Sequence, residues 1–132
     1  MIPKFRAWHN ELGRMMSISD MWFNVDSLGE IGLNDAVMND YITVSPDEIE
    51  LMQSTGLKDK NGKEIFEGDI VDYKGREAVV KWHGSYASFI YRFVDGLKER
   101  VSEWDPLFLA CYHFAVIGNI YENPEFLEVK DE

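Results

Sequence analysis

Short alternating runs of apolar and polar residues in the first half of the chain predict β-strands joined by turns. Residues 4–18 (KFRAWHNELGRMMSI) indicate two strands around a turn at Asn10–Gly13. Residues 19–44 mix apolar side chains with Gly, Asn and Asp and predict short strands and loops, ending in the β-branched and aromatic strand YITV. Ser45-Pro46-Asp47-Glu48 has the spacing of a capping box with proline at the first helical position. We therefore expect one helical turn from Pro46, followed by a strand in IELMQST.

Residues 56–94 carry the clearest turn signals in the chain. Asn61-Gly62 predicts a hairpin turn, because both residues accept a positive φ. Glu67-Gly68-Asp69 predicts a bend or bulge that the Asp69 carboxylate holds by accepting from a nearby backbone N–H, and Lys74-Gly75 predicts a tight turn. The strands expected between these turns are 70–73, 77–82 and 88–94. Since these short strands follow one another closely, residues 63–94 predict a meander that curls into a small barrel.

The last part of the chain contains one clear strand signal. FAVIGNIYE at 114–122 predicts a strand with Gly118 at a bulge, and Asn123-Pro124 predicts the start of a helical turn, whereas residues 104–112 are apolar without indicating an element. Together the patterns predict a mainly β fold, α+β at most, in a single domain of residues 1–132. The structural turn and bend positions that we single out are Gly56, Asn61, Gly62, Gly68, Asp69, Gly75 and Gly118.

The formal charge of −11 is distributed unevenly along the chain. Residues 15–57 contain eight acids and no Lys or Arg, residues 58–100 are nearly neutral, and residues 119–132 contain five acids and one Lys. Such a surface repels phosphate, which argues against bulk electrostatic binding to nucleic acid. The excess of acids either serves solubility alone, or forms a face for a basic partner or a mimic of nucleic acid.

Length and cysteine usage predict a cytoplasmic protein. A chain of 132 residues is long enough to bury a core, and its longest uncharged stretch, 106–121, is shorter than the about 20 apolar residues that span a bilayer. No apolar signal region follows the first charges, and the single cysteine, Cys111, cannot form an internal disulfide. We therefore expect no membrane partner.

One cysteine–histidine pair is a weak candidate for a metal site or a catalytic site. On a strand, Cys111 and His113 would point to one face and supply two metal ligands, or a nucleophile and its base, but no third residue is implied. The other histidines, His9 and His83, lie in no His-Glu-x-x-His pattern. The structural interpretation of these residues is therefore preferred.

Four acids crowd residues 64–72, namely Glu64, Glu67, Asp69 and Asp72. Glu67 and Asp69 could share one face, yet a paired-acid hydrolase also needs a cleft and a raised pKa on one member, and the sequence indicates neither. A calcium loop beginning at Asp59 fails, because Gly62 falls at the fourth position and not at the sixth.

Aromatic residues are concentrated on the predicted strands of the meander. Phe89, Tyr91 and Phe93 alternate and so share a face, which predicts core packing with Trp82 and Tyr86 nearby. A stacking platform for single-stranded nucleic acid would need more bases around it than this region holds. No phosphate-binding glycine loop or nucleophile elbow is present, so the sequence predicts no catalytic residue, no metal and no cofactor.

Three blocks of the sequence resemble one family. KFRAWHNELGRMM near the start, LMQSTGLKDKNGKEIFEGDIV in the middle and VIGNIYENPEFLE near the end are similar to the YopX family of phage and prophage proteins. The resemblance covers nearly the whole chain, with 19–48 and 95–112 as variable insertions. It implies an SH3-like barrel at the centre, a phage or prophage setting and a cytoplasmic location, and it implies no activity and no catalytic residues.

Three functional hypotheses follow. The preferred one is a non-enzymatic protein-interaction module with an unknown protein partner, for which a basic protein fits the acidic excess, and with self-assembly left open. The alternative is a small-barrel protein that binds nucleic acid, which the charge disfavours, or an acidic mimic of nucleic acid. The third is an enzyme that uses the acids at 67–72 or the Cys111/His113 pair.

Overall fold

β-Strands dominate the structure, as the sequence pattern predicts. The structure is a computed structural model, and it describes residues 4–25, 27–94 and 105–127. The helical elements bounded within these residues are 3₁₀ turns of three or four residues, at Pro46–Glu48, Gly84–Tyr86, Leu107–Leu109, Cys111–His113 and Pro124–Leu127. The strands are β1 (Phe5–His9), β2 (Arg14–Phe23), β3 (Leu28–Asp35), β4 (Asp40–Val44), β5 (Ile49–Lys58), β6 (Glu64–Phe66), β7 (Asp69–Tyr73), β8 (Arg76–His83), β9 (Ser88–Phe93), β10 (Asp105–Pro106) and β11 (Ala115–Asn119).

The chain divides into two compact units, Met1–Gln53 and Ser54–Glu132. Each unit has a hydrophobic cluster of its own, and each is described by itself below. The single domain expected for residues 1–132 stays a prediction.

The first unit is an antiparallel sheet in the order β4-β3-β2-β1, extended by the first half of β5 against β1. The hairpin expected in residues 4–18 is present as β1 and β2, with Ala7 opposite Met16. Side chains alternate across the sheet, and the inner face carries the core of this unit. That core consists of Ala7, Met16, Ile31, Leu33, Val44 and Ile49.

The helical turn expected at Pro46 is confirmed. It spans Pro46–Glu48, and the Ser45 N–H donates to Glu48 Oε2 at 2.7 Å, as in a capping box. The turn is only three residues long because β5 begins directly after it at Ile49, a buried core residue. The expected strand in IELMQST is therefore also present.

The second unit begins with a hairpin of β5 and β6 whose turn differs from the one expected. Gly62 has the predicted positive φ of 81°, but Asn61 does not, so this is not the two-residue turn that Asn-Gly suggests. The loop runs from Asp59 to Lys63, and the Gly62 N–H donates to the Asp59 carbonyl at 3.0 Å. The Asp59 carboxylate accepts from the Asn61 N–H at 2.9 Å, which holds Asn61 in an Asx turn at negative φ.

The two-residue turn with positive φ at both positions lies instead between β7 and β8. Lys74 (φ 50°) and Gly75 (φ 87°) connect Tyr73 to Arg76, which face each other across the hairpin. The right-handed twist of the flanking strands matches this geometry. The tight turn expected at Lys74-Gly75 is therefore present.

The second sheet has the strand order β10-β9-β8-β7-β11. One face carries the buried cluster of Ile65, Val71, Ala78, Val80, Leu107, Cys111 and Phe114. Phe89, Tyr91 and Phe93 pack against this cluster, which confirms that the three alternating aromatics share the core face. Tyr91 meets Phe114 edge to face with ring centroids 4.8 Å apart, so the apolar segment after residue 104 closes the core.

The closed barrel is not confirmed. The meander of β7, β8 and β9 has the expected order, but in the described residues the sheet ends at β10 on one side and β11 on the other. The expected variable insertion 95–112 is described only from Asp105 onward, so its first ten residues lie outside the described part of the chain. Within that same part, no helix has the length and apolar character needed to cross a membrane.

Candidate functional site

Asp59 is a buried carboxylate that joins the 59–63 turn to β11. It is 5% exposed. Oδ1 accepts from the N–H groups of Asn61 (2.9 Å) and Lys63 (2.8 Å), and Oδ2 accepts from the Val116 N–H at 2.8 Å. Burial alone would raise the pKa of Asp59, but these three N–H donors and the Lys63 charge hold the pKa below its ordinary value. Both carboxylate oxygens accept from backbone N–H groups, so the group serves the fold.

The glycines expected at turns and bends lie in two kinds of position. Gly56, Gly62, Gly68 and Gly75 have positive φ, and Gly118 lies where the β7–β11 register shifts. At Gly68 the N–H donates to Val80 O at 2.8 Å, and its carbonyl accepts from the Ile120 N–H at 3.0 Å. This bend therefore connects β7 to two other parts of the unit.

Two of the acids at residues 64–72, Asp69 and Asp72, accept from backbone N–H groups. Asp69 is 1% exposed and its Oδ2 accepts from the Phe66 N–H at 2.7 Å, the contact that the sequence predicts for this bend. Asp72 follows three residues later on β7, so it lies on the opposite face of the strand. Asp69 and Asp72 are thus kept apart, and the pairing of Glu67 with Asp69 stays a prediction.

The condition under which Cys111 and His113 would share a face, a strand, is not met. Both lie in the 3₁₀ turn Cys111–His113, where successive residues point in different directions. Cys111 is buried in the core of the second unit, whereas His113 is exposed and contacts the rings of Tyr73 and Tyr112. The pair therefore does not form a nucleophile with its base.

The remaining histidines, His9 and His83, belong to different units. His9 is buried in the first unit and its Nδ1 accepts from the Leu12 N–H at 3.1 Å, which fixes the β1–β2 turn. His83 lies at the end of β8 against the Tyr86 ring, 4.8 Å between centroids. Among the described residues no group of three or more His, Cys, Asp or Glu side chains is arranged to hold a metal ion.

Exposed apolar side chains stand out in the second unit. Phe108, Leu109 and Tyr112, which we call the 108–112 patch, are 56%, 60% and 61% exposed. They lie on two adjacent 3₁₀ turns whose first residues, Leu107 and Cys111, are buried in the core. The buried pair fixes the turns, so the three exposed side chains are presented on an anchored segment.

A second feature lies on the outer face of the first sheet. Asp20 is opposite Gly32, Trp22 is opposite Glu30, and Tyr41 is opposite Asn34, so these side chains project from the face away from the core. We call Asp20, Trp22, Glu30 and Tyr41 the β2–β4 face. Trp22 and Tyr41 are 46% and 47% exposed. The irregular pattern at residues 19–44 concealed this face, because a bulge between Ile18 and Asp20 shifts the alternation.

These observations define a small, mainly β protein of two antiparallel sheets, in which the buried acids Asp59 and Asp69 accept from turn and strand N–H groups. The model of the family described as "YopX protein" matches residues 4–128, and the chain belongs to this family. The resemblance carried by the three sequence blocks is therefore confirmed.

A solved structure is similar to this chain in fold and in sequence. The crystal structure of protein EF1440 from Enterococcus faecalis is 29% identical to this chain, with a TM-score of 0.64, and the match covers 97% of this chain and 99% of that one. No curated protein matches the chain at a significant level. The comparisons thus give a family and a fold.

Proposed function

We propose that this protein is a non-enzymatic module that acts by binding another protein. The observation that carries the proposal is the 108–112 patch, in which three large apolar side chains are each more than half exposed on one anchored segment. Contiguous exposed apolar surface often marks an interaction site, and aromatic side chains are enriched at interface cores. The setting proposed is the cytoplasm of a bacterial host that carries a phage or prophage, on the strength of the family membership.

Affinity capture tests the proposal. Tagged wild-type protein and a variant with Phe108→Ser, Leu109→Ser and Tyr112→Ser are incubated with host lysate, and captured proteins are identified by mass spectrometry. The matched control carries Val37→Ser and Met38→Ser, which are 71% and 66% exposed in the β3–β4 loop of the first unit. Thermal melts establish that all three proteins are folded.

A specific partner retained by the wild type and the control, and lost by the patch variant, supports the proposal. Capture of nothing at any salt concentration contradicts it, as does equal capture by the patch variant. The solution mass of the purified protein separately tests self-assembly, since a closed oligomer that uses the patch would make the partner another copy of this chain.

A second candidate function, binding of single-stranded nucleic acid, is favoured by one observation. Trp82 and Tyr86 are 46% and 65% exposed at the β8–β9 turn, where Trp82 meets Phe89 edge to face and Lys81 is also exposed. Exposed aromatics can stack on bases. Titration of labelled DNA and RNA at low salt tests this function, and no binding at about 50 µM protein, near the weak end of nonspecific affinities, removes it.

A further inference from the structure

The β2–β4 face combines an anchored aromatic ring with carboxylates. The hydroxyl end of the Tyr41 ring lies over Gly32, where an added Cβ would come within 2.9 Å of Tyr41 Cζ. The Tyr41 hydroxyl donates to Asp20 Oδ2 at 3.2 Å. A glycine below and a carboxylate at its tip therefore hold the ring across the sheet, in the way that aromatic side chains cover strand glycines.

The charged groups that act on this ring are acidic. Desolvation, the hydrogen bond to Asp20 and the negative charges of Asp20 and Glu30 all raise the pKa of Tyr41, so its hydroxyl stays protonated. The effect of the Glu30 charge also means that this carboxylate lies within electrostatic reach of the ring. Strands β2, β3 and β4 contain one base, Arg14. Arg14 is opposite His9 on the core face and pairs with Asp35, so it does not neutralise the outer face. Outside these strands, Lys4 lines the same surface hollow as Asp20, whereas Glu30 does not line that hollow.

A half-exposed ring beside carboxylates matches the two ways in which proteins recognise a guanidinium group. The ring face attracts a cation through its quadrupole, and a planar guanidinium can stack on the ring while its N–H groups donate to carboxylates. Trp22, two residues from Asp20 on the same face, adds a second exposed ring. Phosphate groups would instead be repelled by Asp20 and Glu30.

We propose that the β2–β4 face binds an arginine side chain in a basic segment of a partner protein. This inference rests on the proposed function and names the chemistry of the partner. Arginine is preferred to lysine because it offers both a planar surface for Tyr41 and a fork of donors for Asp20 and Glu30.

The test uses the full chain and a short fluorescent peptide of alternating arginine and serine, with a second peptide in which neutral citrulline replaces arginine. Binding is followed by fluorescence anisotropy at two salt concentrations, and amide chemical shifts locate the bound peptide. Glu30→Gln is compared with Glu11→Gln, an equal change of charge at an exposed residue of the β1–β2 turn. Tyr41→Leu removes the ring while keeping an apolar side chain.

We expect Glu30→Gln to weaken binding about threefold to fivefold, as for an exposed ion pair, and Glu11→Gln to leave it unchanged. Tyr41→Leu is expected to weaken binding to a similar extent, the citrulline peptide is expected not to bind, and the shifts are expected on β2, β3 and β4. Equal effects of Glu30→Gln and Glu11→Gln overturn the proposal, because they indicate attraction to net charge alone. Shifts confined to other residues, or equal binding of the citrulline peptide, also overturn it.

Failure here can be told apart from failure of the proposed function. If a partner captured from lysate is lost by the 108–112 patch variant but retained fully by Glu30→Gln and Tyr41→Leu, the interaction module stands and the arginine site is wrong. If no partner is captured while the arginine peptide still binds at the β2–β4 face, the arginine site stands and the proposed interaction module is contradicted.

Discussion

Replacing Asp59 tests the buried connection between the 59–63 turn and β11. In the wild type this carboxylate accepts from Asn61, Lys63 and Val116, all at 2.8–2.9 Å. Asp59→Ala removes all three acceptors. Asp59→Asn keeps an oxygen for two of the donors, but it places an amide where the third N–H needs an acceptor.

The expected loss of stability follows from the number of donors left without a partner. A hydrogen bond to a charged acceptor contributes about 1.5–3 kcal/mol, and water can replace part of it at half-exposed groups. We therefore expect Asp59→Ala to lower the free energy of unfolding by about 2–4 kcal/mol, and Asp59→Asn by about 1–3 kcal/mol. Asp72→Asn is the matched control, because the Asp72 carboxylate makes only a 3.5 Å contact with the Gly75 N–H. It should change stability by less than about 0.5 kcal/mol.

The dependence on pH provides a second measurement. The pKa of Asp59 is lowered in the folded protein, so its charged form adds stability above the unfolded-state pKa of about 4. That stability is lost as the pH falls through the lower, folded-state pKa. Asp59→Asn should therefore flatten the decline in stability below about pH 4.

Urea unfolding followed by circular dichroism measures the global effect, and amide hydrogen exchange at Val116 measures the local one. Because the chain has two compact units, amide hydrogen exchange is needed to assign the loss of stability to the second unit. Equal, small effects of Asp59→Ala and Asp72→Asn, with unchanged exchange at Val116, would refute the reasoning.

Three further predictions concern the backbone and one ion pair. Gly62→Val and Gly68→Val should each lower the melting temperature, because φ values of 81° and 86° are costly for β-branched residues, and unchanged melting would contradict this. Ala87→Gly should raise stability by about 0.5–1 kcal/mol, since Ala87 has φ 47°, and a measured loss would show that the strain is absent. The hydrogen bond from Arg14 lowers the pKa of Asp35, so the stability it adds should be lost as pH falls below about 4. In unfolding measurements, Asp35→Asn should make stability decline less steeply below about pH 4. An unchanged decline would contradict the role of the Arg14–Asp35 pair.

Local chemistry explains why many elements could be predicted. The capping residues at 45–48, the turn at Lys74-Gly75 and the alternating aromatics at 89–93 each depend on residues close in sequence. The Asn61-Gly62 turn was predicted wrongly in detail, because the buried carboxylate of Asp59 overrides the local preference by joining the turn to β11. An Asp two residues before Asn-Gly was the available signal, as an Asx turn begins in this way.

The two candidate surfaces, the 108–112 patch and the β2–β4 face, could not be predicted from the sequence. The apolar segment at 104–112 gave no element from sequence, because the side chains of residues 107–112 alternate between core and surface with the irregular spacing of 3₁₀ turns. The β2–β4 face was hidden for a different reason: its four residues come from three strands, and a bulge breaks their alternation. Cys111 and His113 are two residues apart in sequence, and the 3₁₀ turn that contains them buries the first and exposes the second.

The amino-acid sequence by itself determined the β class, most turn positions, the acidic charge and the family, since these depend on composition, neighbouring residues and shared motifs. Tertiary structure alone decided which strands lie side by side, that Asp59 is buried against β11, and which apolar side chains remain at the surface. The physical reason is that pairing and burial depend on contacts between residues far apart in the chain. For Asp59 and Val116, 57 residues apart, no local pattern encodes the contact.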